Sequence, residues 1–134
     1  MVPSKLATLR EYRRYLADWL SDSPEEFVGQ PQRVASVRYA YQTIIECARD
    51  INDALLAKRA HISARSHADA FTRMAAQGML PRELAERFQE HCRIRNRLVH
   101  QYNEVEDDRL YAAGKQLVVD AKEYAQHIAR LIGL

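Results

Sequence analysis

Glycine and proline are scarce in this chain of 134 residues, which has four of each. So few turn-forming residues exclude a β-sandwich or a barrel, because those folds need a turn after every short strand. The chain also lacks an apolar run of about 18 residues and an amino-terminal apolar core of signal-peptide length. We therefore expect one cytoplasmic domain over residues 1–134, with no membrane contact and a hydrophobic core that is stable without a metal ion or a disulfide bond.

The sequence also lacks cysteine pairs and histidines at the spacing of a metal-binding motif. The chain has two cysteines, Cys47 and Cys92, and their separation of 45 residues matches no zinc or redox motif. We interpret both as small buried thiols. Four of the five histidines show no metal-ligand spacing, and we interpret them as surface or partly buried polar side chains: His61, His67, His91 and His127. The sequence predicts neither a metal ion nor a cofactor.

The charge is nearly balanced, with 20 basic and 18 acidic residues and a net charge of +2. This balance excludes a polycation that holds nucleic acid through its overall field, so any nucleic-acid role needs a local basic site. Sixteen of the basic residues are arginine. Genomic base composition explains such a bias, but the planar guanidinium also suits two-pronged binding of a phosphate.

Helical periodicity fills most of the chain. Local signals mark several positions: Ser23 is a helix N-cap, Ser66 begins a short helix, Gly78 ends it, and Gly114 is a close-packing point inside the last helix. Apolar residues recur every three or four positions in five segments, about 4–20, 32–58, 66–78, 81–100 and 107–132. The sequence predicts an all-α, up-and-down four-helix bundle with an additional short helix.

The densest polar cluster lies at the end of the fourth segment, from Arg93 to Tyr102. An α-helix turns by about 100° per residue, so Arg95 and His100 point about 140° apart and a regular helix does not aim both at one phosphate. Either the helix unwinds at His100, or two copies of the chain meet and each donates part of a site. A plainer interpretation is a helix C-terminus carrying cations that suit its dipole.

The segment Arg95-Asn96-Arg97-Leu98-Val99-His100-Gln101-Tyr102 resembles the Arg-x4-His-x-Tyr motif of the HepT-like proteins, which belong to the HEPN superfamily of prokaryotic helical ribonucleases. Three further segments resemble the same family, in the same order along the chain: 23–27, 47–52 and 71–80. The resemblance covers nearly the whole chain and favours a functional role for the polar cluster.

The resemblance implies a homodimeric, metal-independent endoribonuclease that is the toxin of a toxin–antitoxin pair. Its antitoxin is expected to be a small MNT-type nucleotidyltransferase that adenylylates the motif tyrosine, here Tyr102. Arg95 and His100 are the expected catalytic residues, with Asn96 and Arg97 in support. Two other hypotheses stay open: a non-catalytic HEPN module that binds RNA or a partner, and a plain helical adaptor with no RNA role.

Elementary chemistry agrees with this expectation. RNA carries its own nucleophile, the 2′-hydroxyl, so cleavage needs a base that titrates near neutrality and cations on the phosphorane. His100 is suited to act as the base, and Arg95 is suited to supply the cation. Asn96 is a candidate to orient His100 or to hold a phosphate oxygen. Glu46 and Asp50 share one face of the second long segment. We interpret these two as structural ion-pair partners, with Asp50 a candidate to hold a motif arginine.

Overall fold

The computed structural model describes residues 1–100 and 105–134. They form six helices: α1 (Val2–Trp19), α2 (Pro24–Val28), α3 (Pro31–Ala60), α4 (His67–Ala76), α5 (Arg82–His100) and α6 (Asp107–Leu131). The predicted all-α four-helix bundle is confirmed, and it carries a second short helix, α2. None of the described helices is both long enough and apolar enough to cross a lipid bilayer.

Serine caps fix the starts of the two short helices. The Ser23 hydroxyl oxygen accepts a hydrogen bond from the backbone N–H of Glu26 at 3.2 Å, and the Ser66 hydroxyl accepts one from Asp69 at 3.0 Å. Each bond satisfies an amide that has no partner inside its helix. After α4, Gly78 adopts a φ of 74°, a left-handed conformation that ends the helical run. These local predictions are confirmed.

Contacts across the bundle show how the long helices run. Lys5 of α1 pairs with Asp50 of α3 at 3.0 Å, and the rings of Tyr12 and Tyr39 lie 5.9 Å apart, so α1 and α3 are antiparallel. Helix α6 packs beside α3 through Tyr124, whose hydroxyl hydrogen-bonds to that helix. Helix α1 therefore lies on one side of the α3–α6 pair, and α4 and α5 lie on the other.

Helix α6 comes very close to the end of α1 at Gly114. A Cβ atom built there would lie 2.6 Å from the Cδ1 atom of Leu20, which is well inside contact distance, so the predicted close packing is confirmed. The prediction of buried thiols is confirmed too, because Cys47 and Cys92 are both free and buried. Burial raises the pKa of the Cys92 thiol to about 12, so this thiol stays protonated and unreactive.

Candidate active site

Arg95 lies on α5, and its side chain packs against α3. Only 16% of its side chain is exposed, and its Nη2 lies 3.8 Å from a carboxylate oxygen of Glu46. Its Nη1 donates to the side-chain oxygen of Asn96 at 3.2 Å. The Nε–H is buried and reaches no acceptor in the described part of the chain. A buried donor without a partner costs about 1–3 kcal/mol, and an oxyanion bound beside Arg95 would remove that cost.

His67, the first residue of α4, adds an uncharged imidazole to the same place. Its Nδ1 lies 3.5 Å from Nη1 of Arg49, and Nε of Arg49 donates to Asp53 at 2.7 Å. Partial burial, with the positive charges of Arg95 and Arg49, lowers the pKa of His67 to about 4. At neutral pH the ring is therefore neutral, and it offers one hydrogen-bond donor and one acceptor.

The connector before α4 is tied down, which keeps His67 in this position. The Asp69 carboxylate accepts a hydrogen bond from the backbone N–H of Arg65 at 2.9 Å and another from Nε of Arg73 at 2.9 Å. These two bonds hold the pKa of Asp69 below its ordinary value. Together with the Ser66 cap, they fix the first turn of α4 and the connector before it. Three helices, α3, α4 and α5, thus contribute side chains to the site.

His100 is the last residue of α5, and its side chain is exposed. It forms no hydrogen bond or ion pair within the described residues. Within α5, which is helical up to His100, the side chains of Arg95 and His100 leave the helix about 140° apart. Arg97 is partly exposed on the same turn. Tyr102, the expected modification site, lies outside the described residues.

The structure corrects one assignment among the carboxylates of α3. Asp50, the candidate partner of a motif arginine, pairs with Lys5 of α1. Glu46, one turn earlier, is the carboxylate that lies beside Arg95. Both carboxylates form ion pairs, as predicted, but the expected link from Asp50 to the motif is wrong. The reason is that Asp50 lies next to α1, whereas Glu46 lies next to α5.

A second polar network is buried where α5 meets α3 and α6. The Tyr41 hydroxyl donates to Nδ1 of His91 at 2.5 Å, and Nε2 of His91 donates to Asp120 at 2.8 Å, an assignment of hydrogens that follows from these partners. His91 is 3% exposed and Asp120 is fully buried. The interpretation of His91 as a surface or partly buried side chain is therefore wrong. It lies on the buried face of α5, where both ring nitrogens find partners.

Asp120 is the centre of this network. It also accepts hydrogen bonds from Nε of Arg87 at 2.9 Å and from Gln116 at 3.1 Å. Burial alone would raise the pKa of the Asp120 carboxyl, but the hydrogen bonds from His91, Arg87 and Gln116 outweigh it and the pKa lies below its ordinary value. Because every member is partnered, the network locks α5 against α6 one turn before Arg95.

Sequence reasoning missed Arg49 and His67 as neighbours of Arg95. The three residues lie on three different helices, and no spacing rule connects such positions. The available signal was indirect: Arg49 falls within residues 47–52, one of the segments that resemble the HepT-like family. His67 carried no signal beyond its place directly after the serine that starts α4.

The assembled side chains can hold an anion but lack a base. The guanidiniums of Arg49 and Arg95 suit two-pronged binding of a phosphate, and Asn96 and His67 add neutral hydrogen-bonding groups. The lowered pKa of His67 makes it a weak proton acceptor at neutral pH.

The sequence of this chain is similar to a known protein family and to a curated protein. A protein-family model described as "Ribonuclease HepT-like" matches residues 7–128. A curated relative, the tRNA nuclease HepT of Aphanizomenon flos-aquae (strain 2012/KM1/D3), is 24% identical over 113 residues, which cover 84% of this chain and 77% of that protein.

Two solved structures share the fold. A toxin–antitoxin structure with AMP-PNP has a TM-score of 0.88 at 19% identity, covering 96% of this chain and 97% of the other. The tri-AMPylated Shewanella oneidensis HEPN toxin in complex with MNT antitoxin has a TM-score of 0.87 at 19% identity, covering 96% of each chain.

Proposed function

Because the chain belongs to the HepT-like ribonuclease family, we propose that it is a metal-independent endoribonuclease and the toxin of a toxin–antitoxin pair. Its substrate is RNA. The observation that carries the proposal is the guanidinium of Arg95, which is held at a junction of three helices with a buried Nε–H that has no acceptor among the described residues. A phosphate oxygen is the kind of acceptor that this donor lacks.

The proposed reaction uses the 2′-hydroxyl of the substrate as nucleophile. His100 takes the proton from that hydroxyl, and the O2′ atom attacks the adjacent phosphorus. The bond from phosphorus to the 5′ oxygen breaks, and that oxygen leaves with the proton returned by the imidazolium. The products are a 2′,3′-cyclic phosphate and a 5′-hydroxyl. Arg95 stabilises the charge that builds on the phosphorane, and Asn96 and Arg97 support it.

The two catalytic residues are proposed to come from different protomers of a homodimer. Arg95 lies against α3 and α4, whereas His100 is exposed at the end of α5. A second copy related by a two-fold axis would bring its own His100 to the first Arg95, and the reverse. Light scattering at micromolar concentration should give about twice 15.5 kDa. A species of 15.5 kDa under those conditions contradicts a shared site.

Tyr102 is the proposed point of control. An MNT-type nucleotidyltransferase partner would join AMP to its hydroxyl, two residues after His100 in the sequence. The added phosphodiester is negatively charged and would pair with Arg95 or Arg97 in place of the substrate phosphate. The tri-AMPylated HEPN toxin in complex with MNT antitoxin supports this proposal, because a protein of the same fold carries AMP in such a complex.

Cleavage of transfer RNA in excess EDTA tests the mechanism. The native chain should cut under chelation, because the 2′-hydroxyl makes a metal-bound nucleophile unnecessary. His100→Ala should lower the rate by about 10²–10⁴, and Arg95→Gln by about 10²–10³. His127→Ala is the matched control, since that histidine lies on α6, and it should cut at the native rate.

Three outcomes would contradict parts of the proposal. Activity that EDTA removes and Mg²⁺ restores contradicts metal independence. Cleavage of a substrate with a 2′-deoxy sugar at the cut contradicts attack by the 2′ oxygen. Binding of RNA without any cleavage by the native chain indicates a non-catalytic HEPN module instead.

A further inference from the structure

A basic groove runs between α1 and α6, on the side of the bundle away from α5. It measures about 650 Å³. Glu11 is the one carboxylate among the described residues that line it, and Glu11 already accepts a hydrogen bond from Tyr15 at 3.1 Å. The other charged lining is basic and consists of Arg10, Arg13, Arg14 and Lys122. The groove is thus strongly positive in a chain whose net charge is only +2.

The cations of this groove differ from most arginines of the protein. Among the described residues, nine of the thirteen other arginines pair with a carboxylate, as Arg73 does with Asp69 at 2.9 Å. Arg10, Arg14 and Lys122 are exposed and form no hydrogen bond or ion pair within the described residues. Their charge is therefore not neutralised inside the protomer and is free to attract a polyanion.

The shape of the groove suits an extended backbone. Arg10 and Arg14 are one helical turn apart on α1, about 6 Å along the axis, so both side chains leave the same face of the helix. Ala7 and Ala125 line the groove with small side chains, which leave it open between the cations. Arg13 is anchored at the wall by a hydrogen bond from its Nε to the Val118 carbonyl at 2.9 Å. Both helices thus contribute cations to the lining of the groove.

The chemistry favours a phosphodiester backbone over a protein partner. The cores of protein interfaces are enriched in aromatic residues and depleted of charged ones. Two partly exposed aromatic side chains of α1, Tyr12 and Trp19, lie on its other side, where Tyr12 meets Tyr39 of α3. The groove itself presents arginines, whose planar fork matches the oxygens of a phosphate.

We propose that the groove between α1 and α6 binds the phosphate backbone of the RNA substrate, outside the site at Arg95. This inference rests on the proposed ribonuclease function. RNA held there extends around the bundle, so long or structured RNA gains contacts that a short oligonucleotide cannot make. Phosphate contacts carry no sequence information, so the groove raises affinity without choosing the cut.

The test compares two double variants that each remove two positive charges. Arg10→Gln/Arg14→Gln changes the groove, and Lys58→Gln/Arg82→Gln changes exposed residues outside it. Binding of bulk transfer RNA is measured for both and for the parent chain across a salt series, each in the His100→Ala background so that the RNA stays intact. The groove variant should bind about tenfold more weakly, and its slope of log Kd against log salt should fall by about 1.4–1.8. The control variant should match the parent.

Cleavage by the two double variants with His100 present supplies a second measurement. The groove variant should show a KM for transfer RNA raised about tenfold with kcat unchanged, because the lost contacts bind substrate and transition state equally. Circular dichroism melts should agree across all variants, since every changed side chain is exposed. A groove variant with the affinity and salt slope of the parent overturns the proposal, and so does an equal loss in the control.

Two further outcomes separate this proposal from the proposed function. Groove-dependent binding of RNA that is never cut supports the groove and contradicts the nuclease, whereas cleavage with no groove dependence does the opposite. If the groove variant keeps its RNA affinity but loses association with the nucleotidyltransferase, the groove is a protein-docking surface and the proposal is wrong.

Discussion

Replacing Asp120 with alanine tests the buried network that joins α5 to α6. The substitution removes the acceptor of three hydrogen bonds, from His91, Arg87 and Gln116. Arg87 recovers most of the free energy of its lost hydrogen bond, because 39% of its side chain is exposed to water and it keeps its ion pair with Glu123 at 2.7 Å. The main cost falls on the buried Nε2–H of His91 and on the vacated space, and we expect about 3 kcal/mol of lost stability.

Thermal and urea unfolding followed by circular dichroism measure this cost. For a domain of this size 3 kcal/mol corresponds to a melting temperature lower by about 10 °C. Glu123→Ala is the matched control, because Glu123 is the other carboxylate partner of Arg87 and 40% of the Glu123 side chain is exposed. The control should cost less than about 1 kcal/mol. Equal destabilisation by the two variants would refute the argument that burial and the His91 contact set the magnitude.

The pH dependence gives an independent check. The pKa of Asp120 is lower in the folded protein than in the unfolded chain. Its contribution to stability is therefore present above the unfolded pKa, about 3.9, and is lost as pH falls through the folded value. The stability gap between the native chain and Asp120→Ala should be constant near neutrality and should close in strong acid. A gap that widens in acid contradicts the lowered pKa.

Three further predictions follow from other contacts. Gly114→Val should cost about 1–3 kcal/mol in urea unfolding, because a side chain there drives into Leu20; native stability would refute the close packing. An NMR titration should show His67 neutral down to about pH 4, and stability should fall as pH drops from about 6.5, since only the unfolded chain then binds that proton; a midpoint near 6.5 contradicts its burial beside two arginines. Co-expression with the nucleotidyltransferase should add AMP to Tyr102, and peptide mass mapping detects the addition. The Tyr102→Phe variant should stay unmodified and toxic; if the nucleotidyltransferase neutralises this variant fully, physical occlusion of the site is favoured instead.

The helices and their ends were predictable because they depend on local chemistry. The Ser23 cap needs only an amide three residues later, and the apolar period needs only the sequence of one helix. Gly114 was predictable for the same reason, since a glycine inside a helix costs stability unless close packing requires it. The bundle class follows from these segments and from the shortage of turn formers.

The composition of the site was less predictable because it depends on how helices cross. His91 lies three residues after Phe88, and Asp120 three after Leu117, so each lies on the buried face of its helix, although from the sequence we interpreted His91 as a surface or partly buried side chain. Their pairing required knowing that α5 crosses α6 at that level. The same limit explains why Asp50, rather than Glu46, looked like a partner for the motif, since one helical turn decides which neighbour a carboxylate meets.

The unequal anchoring of α5 has a consequence for local opening. Its middle is fixed by the buried contact from His91 to Asp120, and Arg95 is wedged against α3, but His100 ends the helix in solvent. Amide hydrogens near His91 should exchange only when the whole bundle unfolds, whereas those of the last turn should exchange through fraying. The exposed end of α5 at His100 is therefore the part of this helix that a second protomer or a partner protein would reach without disturbing the buried contacts of its middle.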